Sequence, residues 1–416
     1  MEKYLQYVNS GFDWVGEIPA QWNNLRLRFV CEFRNGYTPS KANPEFWEDG
    51  SIPWYRMEDI RDSGRKLNEA KQYVTKNAIK GGGLFEAGSF ILATTATIGE
   101  HAVLIVDSLA NQRFTNLKIR KSLSDSLLRD YFFYYLFVID DYCKATTKTS
   151  TFPAVSMELL KNCHVVFPSV QEQQTIVDYL DKKCSEIDNV ISAQQKRIAL
   201  LQELKQSVIT HAVTKGLNPN VEMRDSGVEW IGSVPKHWKL MRTRYLCNLC
   251  TGNKDTVNRV DDGKYPFYVR SPKVERINTY SFDGEAILMA GDGVGAGKVF
   301  HYANGKFDYH QRVYNFHDFK RVTGKFFYYY IANNFRYIIE EGGAKNTVDS
   351  VRLYMIQNFL MTVPPKEEQN RICEYIECQE RKFDSSISKA QHQVELLQEY
   401  KQSLITEVVT GKRKVC

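Results

Sequence analysis

Apolar residues recur with a heptad period over two long stretches of this chain, residues 171–210 and 367–406. In the first, the a and d positions are Val177, Leu180, Cys184, Ile187, Ile191, Gln194, Ile198, Leu201, Lys205 and Val208. In the second they are Cys373, Ile376, Glu380, Phe383, Ile387, Ala390, Val394, Leu397, Lys401 and Leu404. An apolar seam sustained over about five heptads predicts a coiled coil, with Gln194, Lys205, Glu380 and Lys401 as polar breaks. Ser169 with Glu172 three residues on has capping-box spacing, and Pro364-Pro365 suits a first helical turn. Gly216 and Gly411 lie where the helices should stop. At about 1.5 Å per residue each helix spans roughly 60 Å. Two amphipathic helices, each packed only on its own domain, would be the plainer arrangement; the length of the seam favours mutual antiparallel pairing.

Between and before these helices the pattern shortens to strands and turns. Gly88-Ser89-Phe90-Ile91-Leu92-Ala93 and Glu285-Ala286-Ile287-Leu288-Met289-Ala290 read as strands with turn signals, as do Ile52–Arg56 and Tyr265–Arg270. Tyr131–Tyr135 and Phe326–Tyr330 read as short aromatic helices that pack into a core.

The resemblance between the two halves is a true internal repeat. Leu200-Leu201-Gln202-Glu203-Leu204-Lys205-Gln206-Ser207 returns as Leu396-Leu397-Gln398-Glu399-Tyr400-Lys401-Gln402-Ser403, offset by 196 residues. An opening motif, with Trp14, Pro19, Trp22, Arg26, Arg28 and Cys31, returns as Trp230, Pro235, Trp238, Arg242, Arg244 and Cys247, offset by 216 residues. By one offset residue 217 corresponds to residue 1, and by the other to residue 413, so the repeat is circular. It predicts neighbouring termini and an approximate two-fold axis. The expected division is an N-terminal segment 1–22, a globular segment 23–167, a long helix 168–216, a linker with the second opening motif 217–238, a second globular segment 239–363 and a final helix 364–416. The frame of the globular segments recurs while their loops diverge, the pattern expected of two binding modules with different targets.

Composition excludes several classes. Of 416 residues 43% are hydrophobic and 25% charged, ordinary for a globular chain, and no apolar run approaches the ~18 residues that span a membrane. The N-terminus lacks the apolar core of a signal peptide, and nine cysteines without framework spacing suggest reduced thiols, so a cytoplasmic location is expected. The net charge of +6 permits nucleic-acid binding without requiring it.

Catalytic patterns are missing from the sequence. Gly291, Gly293, Gly295 and Gly297 alternate but form neither a dinucleotide fingerprint nor a phosphate-binding loop, and the aligned Thr94–Gly99 lacks most of those glycines. Cys247 and Cys250 form a lone C-x-x-C without two further zinc ligands, and Cys247 repeats Cys31, so both read as structural. His310, beside Gln311-Arg312, aligns with Asn111, beside Gln112-Arg113, an exchange that argues against a catalytic base. No metal site, cofactor or catalytic residue is expected. What remains is a binding surface of basic, polar and small side chains in loops. In the first half the candidates are Thr38, Ser40, Lys41, Arg56, Arg61, Thr95, Gln112, Arg113 and Lys148, with Arg65 and Lys66 nearby. In the second they are Lys254, Arg270, Lys273, Asp292, Lys298, Gln311, Arg312 and Lys345, with Arg259 and Arg276 nearby. Lys and Arg bind phosphates, and Arg can grip a guanine edge with two hydrogen bonds.

The combination resembles the specificity subunit of Type I restriction–modification systems over nearly the whole chain. The resemblance rests on the doubled Trp-x-Gly-x-x-Pro-x-x-Trp opening (Trp14–Trp22, Trp230–Trp238), on Gly36-Tyr37-Thr38-Pro39-Ser40, and on Pro168, Glu172, Gln173 with Pro364, Glu368, Gln369 at the start of each helix. The repeated helix-end motif completes it. Thr251-Gly252-Asn253-Lys254 departs from the Thr-Pro-Ser pattern. The resemblance implies an α+β fold with two strand-rich, mixed α/β target recognition domains, separated by two long helices in an antiparallel coiled coil of pseudo-two-fold symmetry. Each domain would read one half of a split, asymmetric duplex DNA target. Two methyltransferase subunits would dock on the repeated regions, and two motor-nuclease subunits would join in a full restriction system. S-adenosylmethionine, ATP and magnesium would belong to those partners. A two-headed protein–protein scaffold, or a stand-alone DNA-modifying enzyme, are the alternatives, separable by salt-dependent duplex binding and by methyl transfer from the purified chain.

Overall fold

The computed structural model describes residues 3–147, 154–341 and 350–415. It divides into two compact units, residues 1–193 with 393–416, and residues 194–392. The boundary falls within both long helices, so each unit owns the first half of one and the second half of the other.

In unit 1 the central sheet has β1 (Cys31–Asn35), β2 (Phe90–Ala93), β3 (His101–Leu104) and β4 (Phe114–Ile119) in the antiparallel order β1-β4-β2-β3, with Lys66–Leu67 added in parallel on the edge of β3. All four side chains of β2 are buried, which explains its uninterrupted apolar sequence. The aromatic helix α1 (Arg129–Thr146) packs Phe132 against Phe90. A short antiparallel pair, Asn23–Arg26 with His164–Phe167, returns the chain to the start of α2 (Val170–Lys215).

Unit 2 repeats this plan. Helix α3 is Gly324–Asn334, and α4 is Lys366–Val409. Strands β5 (Asn248–Thr251), β6 (Phe282–Ala290), β7 (Phe300–Tyr309) and β8 (Val313–His317) run in the equivalent order β5-β8-β6-β7. Lys239–Arg242 pairs with Leu360–Val363 ahead of α4.

The heptad reading holds in detail. Val177, Leu180, Cys184, Ile187 and Ile191 of α2 are buried in the core of unit 1, together with Leu404, Ile405, Val408 and Val409 from the far end of α4. In unit 2 the roles exchange: Ile372, Cys373 and Ile376 of α4 meet Ile209, Ala212 and Val213 of α2. Full burial of such a side chain contributes roughly 1.5–3 kcal/mol, so neither core is complete without the other repeat's helix. Direction follows from named contacts. In unit 1 the Tyr131 hydroxyl lies 3.0 Å from Val166 O, just before α2, and 2.9 Å from Val409 O, at the end of α4. In unit 2 the Thr362 hydroxyl, just before α4, donates to Val213 O near the end of α2 at 2.8 Å. The paired halves are therefore antiparallel, and the helices pack on their own domains as well as on each other.

Both helices end on a left-handed glycine, Gly216 (φ +80°) and Gly411 (φ +73°), each covered by the second tryptophan of an opening motif, Trp238 and Trp22 respectively. The segment before Trp22 thus lies against the end of α4: Tyr7 donates its hydroxyl to Gly411 O at 3.0 Å. The neighbouring termini expected of a circular repeat are present in unit 1.

The Pro-x-x-x-Glu-Gln motif proves to be a latch. Gln173 is fully buried; its Oε1 accepts from Leu128 N at 2.8 Å, and its Nε2 donates to Ser126 O and Pro168 O at 2.8 and 2.9 Å. Gln369 repeats this with Thr323 N, Arg321 O and Pro364 O at 2.8, 2.9 and 2.8 Å. One amide in each unit satisfies three backbone groups and ties the first turn of the long helix to the start of the aromatic helix.

Candidate nucleic-acid interface

In unit 1, Thr38, Arg56, Arg61, Gln112 and Arg113 line one open concavity with Glu58, Thr97 and Asn111. Its floor depends on Gly36, whose N–H donates to Phe114 O at 2.8 Å. A Cβ on Gly36 would lie 2.1 Å from Asn111 O, so no other residue fits. The Asn111 side chain accepts from Arg113 N at 2.9 Å, closing a turn that leaves Gln112 and Arg113 exposed. Thr38 donates its hydroxyl to Gln112 Oε1. Arg56 pairs with Glu58, and Arg61 lies 3.5 Å from Glu100.

Unit 2 repeats this turn with different side chains. Gly252 stands where Gly36 stands: a Cβ there would lie 2.1 Å from Tyr309 O. Thr251–Lys254 thus keeps the backbone of the first half although the Thr-Pro-Ser sequence is gone. His310 takes the place of Asn111, its Nδ1 accepting from Arg312 N at 2.9 Å. That contact explains the exchange of asparagine for histidine, since both supply a side-chain acceptor two residues before the amide they hold. Burial, then the nearby Arg270 cation, pushes the His310 pKa down. Gln311 Nε2 donates to Asp255 Oδ2 at 2.9 Å.

Beside this turn, Arg270 Nη1 contacts Asp292 Oδ1 at 2.9 Å, and Arg312 Nε lies 3.6 Å from Asp292 Oδ2. One carboxylate orients two guanidiniums, and the three carry a net positive charge. Asp292 opens the glycine loop, whose tip residue Val294 is 92% exposed. Gly295 sits where a Cβ would be 2.6 Å from Arg270 O, so the glycines serve a tight chain reversal. The first half has the same frame: Gly291 N bonds to Arg312 O as Thr94 N bonds to Arg113 O, and Asp292 bridges Ser350 as Thr95 bridges Ala154.

The other candidates are scattered. Ser40 and Lys41 are exposed on the following turn, where Ser40 O accepts from Trp47 Nε1 at 3.0 Å. Lys254 contributes its carbonyl to Gln311 N at 2.8 Å. Lys273 is 76% exposed, 3.7 Å from Glu275, and Lys298 is exposed beyond the glycine loop. Lys148 and Lys345 lie outside the described residues. Two neighbouring arginines are structural. Arg65 bonds to the His101–Asp140 pair buried under β3 and stacks over Phe137, and Arg276 clamps Gly263 O and Lys264 O. Asp255, the acceptor role shared by Asn111 and His310, and the latch role of the two glutamines escaped sequence reasoning. Cys31 and Cys247 are buried, with the Cys247 thiol pushed up to about 12.

Each turn therefore presents a glutamine amide and an arginine fork side by side on a rigid strand end. Such groups make bidentate hydrogen bonds to base edges and charge-assisted ones to phosphates.

The profile of the Type I restriction modification DNA specificity domain matches residues 19–200 and again 235–396. A Type I restriction enzyme EcoprrI specificity subunit from Escherichia coli is 42% identical over 185 residues, 43% of this chain and 45% of that protein. A Type I restriction enzyme MjaIX specificity subunit from Methanocaldococcus jannaschii is 26% identical over 261 residues, 61% of this chain and 58% of that protein. The chain thus spans about half the length of these curated relatives. Among solved structures, a chain from work on complex assembly and conformational transition of the type I R-M system superposes with a TM-score of 0.68 at 16% identity, covering 95% of this chain and 99% of that one, a likeness of fold.

Proposed function

Because the chain belongs to the Type I restriction modification DNA specificity family, we propose that it is the sequence-reading subunit of a Type I restriction–modification complex. Residues 23–167 and 239–363 are the two readers, each taking one half of a split duplex DNA target. The observation that carries this is the repeated turn: two exposed Gln-Arg pairs on equivalent strand ends, with otherwise different surroundings. A common frame with different contacts suits two half-sites of unlike sequence. The long helices set the unread spacer between them.

The chain leaves chemistry to its partners, two methyltransferase subunits and, in a full system, two motor-nuclease subunits. Support for docking on the helices comes from apolar residues off the heptad seam. Leu200 and Leu204 of α2 are 65% and 51% exposed, and their repeat equivalents Leu396 and Tyr400 of α4 are 49% and 50% exposed. One helical turn apart, they form the same apolar stripe in each unit, placed for a partner helix. Among the described residues no helix is long and apolar enough to cross a membrane, and the setting of this function is the cytoplasm.

The test is to co-express the chain with its methyltransferase partner and map methylated adenines. A split motif is expected, and exchanging residues 23–167 for those of a relative should change one half only. A contiguous palindrome, or a change in both halves, would overturn the reading. So would methyl transfer by the purified chain alone.

A further inference from the structure

The two exposed glutamines stand on the same scaffold but have opposite partners. In unit 2 the partner is Asp255, a carboxylate, which only accepts hydrogen bonds. The Gln311 amide is therefore oriented by chemistry: its NH2 turns to Asp255 Oδ2 at 2.9 Å, and Oε1 remains as the group that accepts. Asp255 is itself held. Its backbone is fixed at the start of the helical turn Thr256–Asn258: its carbonyl accepts from Asn258 N at 2.9 Å, and its own N–H donates to Asn258 Oδ1 at 2.8 Å. His310 adds to this. Its Nδ1 accepts from Arg312 N, so the neutral ring carries its proton on Nε2, 3.7 Å from the same Asp255 oxygen. In unit 1 the partner is the Thr38 hydroxyl, which can donate or accept; here it donates to Gln112 Oε1, so the Gln112 NH2 is the outward donor in this arrangement.

Resting on the reading that the chain binds duplex DNA, we propose that Gln311 and Gln112 are specificity-determining residues of opposite polarity. Gln311 Oε1 accepts from an exocyclic amino group, adenine N6 or cytosine N4. Gln112 Nε2 donates to an acceptor edge, guanine O6, thymine O4 or a purine N7. In the major groove these edges tell one base pair orientation from another. The neighbouring side chain, not the reading residue, thus decides which base each half selects, and a single exchange at position 38 or 255 alters specificity without altering the reader.

The experiment uses the chain with its methyltransferase partner on DNA with randomised half-sites, read out as methylated motif. Gln311→Ala should relax one position of the second half-site, with a roughly tenfold loss for its preferred base, while the first half-site is still read in full. That intact half reports a folded complex. Gln112→Ala should do the converse. Gln112→Glu replaces the outward donor by an acceptor, with the Thr38 hydroxyl still able to donate to it, and should lose the base preference. Thr38→Val releases the Gln112 amide and should relax the same position. As a direct check, deleting the amino group at the Gln311-dependent position (purine for adenine, 2-pyrimidinone for cytosine) should weaken wild-type binding roughly tenfold and leave Gln311→Ala binding unchanged. If Gln311→Ala leaves every position intact while both halves are read, or if amino deletion weakens wild type and variant alike, the assignment fails and the DNA-reading function stands. If the wild-type complex yields no split motif, the function fails with it.

Discussion

Lys401 Nζ lies 2.7 Å from both carboxylate oxygens of Asp188, and the residues related to them by the 196-residue offset, Lys205 and Asp384, form the same pair in unit 2 at 2.9 and 3.0 Å. Lys205 also reaches Glu380 at 3.4 Å. Three of the polar breaks in the apolar seam are therefore cross-helix pairs whose geometry fits one antiparallel register. Half-exposed ion pairs are worth little individually, about 0.2–1 kcal/mol. Their value is as markers of register, because the two equivalent pairs form together in a single antiparallel alignment of the helices.

Lys401→Glu should lower the stability of unit 1 by roughly 1 kcal/mol, and adding Asp188→Lys should recover most of it. A double-mutant cycle of denaturant midpoints measures this. A coupling of zero would remove the register role.

The glutamine latches are the larger stability elements. Gln173→Ala leaves one buried backbone N–H and two carbonyls without their partner and should cost about 2–4 kcal/mol. Hydrogen exchange should show the loss confined to unit 1, and Gln369→Ala should act likewise on unit 2.

Gly36→Ala and Gly252→Ala should each abolish reading of one half-site, since a Cβ would stand 2.1 Å from a backbone oxygen under the Gln-Arg turn. The methylated motif of each variant complex checks this; unaltered recognition would show that the turn is not at the interface.

Acid should destabilise the protein through its buried imidazoles. The pKa values of His101 and His310 are both lowered, mainly by burial. The unfolded chain therefore binds more protons than the folded one below the ordinary histidine value of about 6.5. Stability should fall as pH drops through 6.5 and level off below the folded values. His310→Asn keeps the acceptor for Arg312 N, as Asn111 does in the first half, and should flatten this pH dependence in unit 2 while preserving the turn. Urea midpoints between pH 5 and 8 give the comparison.

Much of this fold was legible in the sequence because its signals are periodic. Val177 to Ile191 announce a seam, and the recurrence of Trp22 as Trp238 and of Gln173 as Gln369 announces a repeat. What was not legible depends on distant neighbours. Nothing local marks Asp255 as the partner of Gln311, 56 residues away. The Gln-Arg pair aligns His310 with Asn111, but nothing local says why the two exchange, because their shared property is a lone pair in one position, not a residue type. Likewise Thr251–Lys254 looks unrelated to Tyr37–Ser40 by side chain while Gly252 and Gly36 make the same backbone approach.

The division of α2 at Ala193 has a consequence for how the protein folds and frays. A continuous helix ordinarily melts from its ends toward its middle. Here each end is locked into a core, one by the Gln173 latch and the other by the contact of Val213 with Thr362, so the ends are the anchored parts. Protection against exchange along α2 should follow two plateaus with a dip between them, and a rod that is continuous in its hydrogen bonds behaves in its energetics as two short helices that share a backbone.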